Sequence, residues 1–140
     1  MKQILLILAV VALVGCGETS WVSDPSNPNN VLIEKAIRKQ LMKFDPTAQE
    51  GELTKADYET VRYLKLDDNK LTDVPKELEK LTQLKQLSLK GNQLTDVKGL
   101  EKLTQLEDLW LEDNPDLTKA RIDELQKALP KCKIESNPTK

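Results

Sequence analysis

The chain has no histidine, and that absence removes the most chemistry. Without an imidazole there is neither Ser-His-Asp nor Cys-His catalysis, and the commonest metal ligand is missing. The five glycines are scattered, so no glycine-rich loop is present to cradle a phosphate, and no cofactor motif stands in its place. Charge of one sign is also lacking. Lys and Arg number 21 against 23 Asp and Glu, a net charge of −2, which leaves no electrostatic footprint for nucleic acid. Aromatic residues make up only 4% of the chain, so each exposed one carries information. The one long apolar run, Ile4 to Val14, holds eleven residues, short of the ~20 needed to span a bilayer. A single domain of about 110 residues is what remains to fold.

A short leucine pattern recurs four times. It reads VRYLKLDDN at 61–69, LKQLSLKGN at 84–92, LEDLWLEDN at 106–114 and LPKCKIESN at 129–137, with starts 23, 22 and 23 residues apart. Apolar residues hold the first, fourth and sixth positions, and Asn holds the ninth. The connecting segments repeat as well: Leu71-Thr72-Asp73-Val74 returns as Leu94-Thr95-Asp96-Val97. A fixed period in the range of about 20–29 residues marks a solenoid, whose units bury their apolar faces only by stacking. The fourth and sixth positions alternate with polar residues, as in a half-buried strand. Stacking then predicts three interior columns: Val61, Leu84, Leu106, Leu129; Leu64, Leu87, Leu109, Cys132; and Leu66, Leu89, Leu111, Ile134. The Asn column (Asn69, Asn92, Asn114, Asn137) falls where the strand ends, and a side-chain amide there can satisfy backbone groups that would otherwise be buried unpaired.

This pattern, L-x-x-L-x-L-x-x-N, resembles the leucine-rich repeat family, in the style of internalin-type and related bacterial repeats. The resemblance covers 61–137. It implies an α/β repeat: a short leucine-rich-repeat solenoid with a four-strand parallel concave sheet, an N-terminal helical cap, and a C-terminal helix with a degenerate last repeat. It also implies a binding module whose concave face meets its partner.

Helical periodicity closes both ends of the stack. Ile33, Ala36, Ile37, Leu41 and Phe44 form one apolar stripe, which predicts a helix over 31–44 ended by Asp45-Pro46. Its polar face (Glu34, Lys35, Arg38, Lys39, Lys43) reads as a solvated face first and a basic patch second. An amphipathic helix of this kind covers the edge of the stack or lies on a membrane or partner. Thr54 to Asp57 reads as a capping box that starts a second helix. Residues 31–60 are therefore the N-terminal cap. A third helix is expected over 118–128, and 138–140 is a polar tail.

The first residues read as a sorting signal. A basic start, a short apolar core and a small residue before Cys16 describe a secretory signal peptide over 1–15. Leu13-Val14-Gly15-Cys16 resembles the lipobox of bacterial lipoproteins; the alternative is a plain signal peptide that contains a Cys. By that resemblance Cys16 is the lipidation site and holds the protein on a membrane, and Gly17 points to the outer membrane where the host has one. Multiple acyl chains, at ~0.8 kcal/mol per buried CH2, hold a domain on a bilayer. Residues 16–30, rich in Ser, Pro, Asn and Gly, read as a tether. With Lys2 removed, 20 basic residues face 23 acidic ones, a net charge of −3. Cys132 is then the remaining thiol, either a small buried hydrophobe or one half of an intermolecular disulfide.

The outward positions of the strands locate a candidate binding face. The third positions are Tyr63, Gln86, Asp108 and Lys131; the fifth are Lys65, Ser88, Trp110 and Lys133. Together with Glu112 they make the candidate concave-face contacts Tyr63, Lys65, Gln86, Ser88, Asp108, Trp110, Glu112 and Lys133. Trp110 is expected between Ser88 and Lys133. It serves either as a contact for a basic or amphipathic protein or peptide, since Trp is enriched at binding hot spots, or as a structural ring packed against the Pro115 loop or stacked by Lys133. The acidic pairs Asp67-Asp68 and Glu112-Asp113 read as solvated strand exits rather than a catalytic pair or a Ca2+ site. Two functions remain: a lipid-anchored envelope module that binds a protein, peptide or glycan, and an envelope spacer without a ligand.

Overall fold

A computed structural model describes residues 26–43 and 53–137. The expected signal peptide, Cys16, most of the expected tether, Phe44 to Pro46 and the expected tail at 138–140 lie outside the described residues. Helix α1 runs Pro28–Leu41. It starts three residues earlier than the apolar stripe predicts, because Asn27 caps it: the Asn27 side chain accepts from the Asn29 N–H at 2.9 Å. Pro28 then occupies the first turn, where its missing N–H costs nothing. The tether boundary at residue 30 is corrected accordingly. Ile33 and Ile37 are buried, with Leu32, Ala36 and Leu41 packed beside them against the core. Asn27 Nδ2 also donates to Glu77 Oε1 at 3.0 Å, which ties the helix to the first repeat.

Helix α2 (Lys55–Thr60) opens on the expected capping box. The Asp57 carboxylate accepts from the Thr54 N–H at 2.7 Å, and Thr54 Oγ1 accepts from the Asp57 N–H at 3.3 Å. Four three-residue strands follow: β1 (Tyr63–Lys65), β2 (Gln86–Ser88), β3 (Asp108–Trp110) and β4 (Lys133–Glu135). They pair in parallel, in sequence order. Each pair is connected by a return segment on the other side of the core. The first two are 3-10 turns at Lys76–Lys80 and Leu100–Lys102, and the third is α3 (Lys119–Ala128). Helix α1 packs on β1 and on the first 3-10 turn, at the first edge of the stack.

Between the sheet and the return segments lies one hydrophobic core. The first three members of each predicted column are buried, as are Leu71, Leu94 and Leu117 one turn later. The extra residue at Pro115-Asp116 is absorbed in the turn, since Leu117 keeps its place in the core and its N–H reaches Asn114 O at 3.1 Å. Asn92 and Asn114 are buried inside the stack. Asn92 Nδ2 donates to Leu66 O and Leu89 O, both at 2.9 Å, and its Oδ1 accepts from the N–H groups of Asn69 and Leu71. Asn114 repeats this with Leu89 O, Leu111 O and the Leu94 N–H. One amide thus satisfies the backbone of two neighbouring turns. The eighth position is left-handed in all three of these repeats: φ is 58° at Asp68, 64° at Gly91 and 58° at Asp113. At the middle one a Cβ would stand 2.1 Å from Asp68 Oδ1, so any side chain there would have to displace that carboxylate.

The fourth strand departs from the predicted register by two residues. Asp108 pairs with Lys133, Leu109 with Ile134 and Trp110 with Glu135. Ile134, and not Cys132, therefore faces Leu109 in the second column, and Lys131 is not a third-position residue. The cause is the α-helical return segment. An α-helix advances ~1.5 Å per residue against ~2.0 Å in a 3-10 helix, so more chain is needed to recross the core. The turn off α3 then takes up Leu129 to Cys132. Gln126 Nε2 holds that turn closed, donating to Leu129 O at 3.1 Å and Cys132 O at 3.0 Å. Leu129 and Cys132 remain buried as parts of this turn. Asn137 is displaced with them: it is exposed and binds the Asp113 N–H at 2.6 Å instead of entering the core.

Candidate functional site: the outward strand face

Alternation along each short strand decides what faces outward. Leu64, Leu87 and Leu109 point into the core, so their neighbours at the third and fifth positions point away from it. The parallel register sets these side chains in two rows. One row is Tyr63, Gln86, Asp108 and Lys133; the other is Lys65, Ser88, Trp110 and Glu135. Neighbours within a row stand ~4.8 Å apart.

The candidate contacts differ in how free they are. Gln86 Nε2 donates to Asp108 Oδ2 at 3.0 Å, a rung across the middle of the first row. Ser88 is buried and its hydroxyl donates to Asp67 Oδ1, so it supports the face and does not present a contact. Asp67 also accepts from the Lys90 N–H at 3.3 Å and pairs with Lys65 at 3.1 Å. That hydrogen bond from Lys65 raises the lysine's pKa, and the Asp67 charge adds to it. Glu112 is engaged by Lys90 at 2.7 Å across the repeat boundary, and the bond raises the Lys90 pKa against the opposing cost of desolvation. Each acidic pair is thereby divided. Its first carboxylate takes a lysine, and its second sits in the left-handed turn. Among the described residues no three His, Cys, Asp or Glu side chains converge on a metal-sized site.

Trp110 is half-buried. Its strand neighbours are Ser88 and Glu135, with Asp108 in line on its own strand. The expected flanking lysine, Lys133, stands one row away beside Asp108 and pairs with Glu135 at 2.7 Å, which raises its pKa. The surroundings of the indole are therefore more acidic than the sequence register suggests. Glu135 is the residue that sequence reasoning missed here. Its signal, the two-residue delay after a full α-helix, was present in the Pro130 turn but was outweighed by the good apolar match of Leu129, Cys132 and Ile134.

The opposite end of the face is basic. Lys35 and Lys39 of α1, Lys43 two residues past its end, Tyr63 and Lys65 of β1, and Asp67 line one cleft of about 390 Å3. The sequence shows those lysines as a helix face. Only the packing of α1 on β1 brings them to the end of the strand face.

Comparison with known proteins agrees with this architecture. Residues 59–115 match the family model of the leucine rich repeat. An internalin from Listeria monocytogenes superposes with a TM-score of 0.56 at 24% identity, over 78% of this chain and 31% of the internalin chain. A leucine-rich-repeat protein of Leptospira interrogans superposes with a TM-score of 0.50 at 36% identity, over 59% of this chain and 22% of its own. The chain thus spans less than a third of the length of either neighbour. No curated protein matches it. The fold is a short leucine-rich-repeat solenoid with a four-strand parallel sheet.

Proposed function

We propose that this solenoid is a cell-envelope interaction module, held to a membrane by lipid on Cys16, whose outward strand face binds a protein or peptide. A glycan would fit the same face less well, because only Trp110 and Tyr63 offer a ring for a sugar to stack on. The observation that carries the reading is Trp110, a half-buried indole on the outward side of the sheet with Asp108 and Glu135 beside it. A half-buried ring flanked by Asp108 and Glu135 suits a basic or amphipathic partner. Aromatic residues in such settings account for much of the energy of protein contacts. The leucine-rich-repeat fold is consistent with a binding role and carries no catalytic assignment. The chain is read as a non-enzyme on the chemistry it contains.

The test is capture from envelope extract with the full chain, run beside Trp110→Ala and an opposite-face control, Lys127→Ala. A partner held by the wild type and the control but lost from folded Trp110→Ala supports the reading. Equal capture by all three overturns the placement of the site. If no partner is held by any bait, the spacer reading takes its place. The anchor is tested separately by metabolic labelling with a fatty-acid analogue, which Cys16→Ala should abolish.

A further inference from the structure

The cleft at the first edge of the strand face carries more than a general basic character. Lys35 and Lys39 of α1 and Lys43, two residues past its end, line it from the helix side; Tyr63 and Lys65 of β1 line it from the sheet, together with Asp67, which pairs with Lys65 at 3.1 Å. Lys35, Lys39 and Lys43 are exposed and make no ion pair among the described residues. This sets them apart from the larger cleft of about 870 Å3 on the return side, where Lys102 is taken by Glu79 at 2.6 Å and Lys98 by Asp96 at 3.5 Å. On a helix, residues four apart rise by ~6 Å. Along an extended strand, side chains on one face recur every ~6.6 Å. Carboxylates at alternate positions of an extended peptide therefore meet Lys35 and Lys39 almost in step, and Lys43, just past the helix end, extends the basic edge.

Lysines without an ion-pair partner stand at one end of the face, whereas Lys133 at the other is paired with Glu135 at 2.7 Å. Two strand spacings away, ~10 Å, lie Asp108 and Trp110, with Glu135 beyond. A uniform polyanion such as a nucleic acid strand or an anionic bilayer surface would be attracted at α1 and repelled there. A polypeptide can change sign along its length. We propose that the cleft between α1 and β1 binds an extended protein segment with acidic residues at alternate positions, as the acidic end of a partner whose continuation meets Trp110. This rests on the strand-face reading, because Tyr63 and Lys65 belong to both.

The test uses the full chain and a fluorescein-labelled peptide of four Glu-Val repeats, followed by fluorescence anisotropy. The peptide has no basic residues, so it probes the cleft without the Trp110 contact. Affinity should fall by at least about tenfold in Lys35→Glu/Lys39→Glu, and also fall as salt rises from about 0.05 to 0.5 M. Lys127→Glu/Lys131→Glu, with the same change in net charge, should stay within about twofold of wild type. A peptide of the same composition with the four Glu in one block should bind more weakly. Thermal melts establish that each variant is folded. Equal losses in the two lysine pairs, or tighter binding to oligothymidine or to phosphatidylglycerol vesicles than to the alternating peptide, would each overturn the proposal. Failure here leaves the Trp110 capture experiment to stand or fall alone.

Discussion

Asn92 holds two turns of backbone through one side chain: the carbonyls of Leu66, Leu89 and Lys90 accept from its amide and two N–H groups donate to its oxygen. Each group stranded in the core costs ~1–3 kcal/mol, so Asn92→Ala should lose at least ~3 kcal/mol in urea denaturation. Asn137→Ala, at an exposed position where water can replace the amide, should lose under ~1 kcal/mol. Nearly equal losses would show that the ladder does not depend on burial. Cys132 gives a second check at this scale. Burial pushes its thiol up to about 11, with the Asp108 charge adding to the effect. The folded pKa lies above the unfolded one, so the stability it reflects is complete below about pH 9 and is lost as pH rises toward 11. The stability advantage of wild type over Cys132→Ala should shrink across that window. Below it, iodoacetamide should label Cys132 only at the rate of unfolding. The ninth-position Asn residues were legible in the sequence because a buried amide at a strand end has few other uses. The burial of Ser88 was not, because it depends on a hydroxyl bond to Asp67 in the neighbouring repeat.

Among the elements, α1 has the largest effect for its length. It has no place in the repeat pattern, yet it packs on β1 and ends the stack. Ile37 is fully buried beneath it, and Ile37→Ala should cost ~2–5 kcal/mol. Thr54→Ala, which removes one half of the α2 capping box, should cost ~1 kcal/mol. Chemical denaturation of the pair separates packing from capping; a larger loss at Thr54 would contradict this assignment. Periodicity placed α1 and α3 and a capping box placed α2, but periodicity missed the start of α1, because Asn27-Pro28 was counted as tether when it is a cap followed by a first-turn proline. It also misplaced β4. The strand register depends on how much chain the preceding return segment takes up, and an apolar count does not distinguish a 3-10 turn from an α-helix. Cross-repeat pairs such as Lys85 with Glu107 at 2.6 Å are exposed and add ~0.2–1 kcal/mol at most.

At the scale of the whole molecule, four short strands and a helical cap make a face with a sign at each end. Lysines of α1 and β1 stand at the start; Asp108, Glu135 and the half-buried Trp110 stand at the close. The fold was legible in the sequence because a 22–23-residue repeat leaves few alternatives. The polarity of the face was not, since it depends on the docking of α1 and on the two-residue displacement of β4. The central claim is that Trp110 contacts a partner and does not hold the fold. The most direct measurement compares Trp110→Ala with wild type in two readouts, affinity for the captured partner and melting temperature. A loss of at least ~2 kcal/mol in affinity with an almost unchanged melting temperature is the predicted result. A large fall in melting temperature would make Trp110 a structural residue and contradict the account.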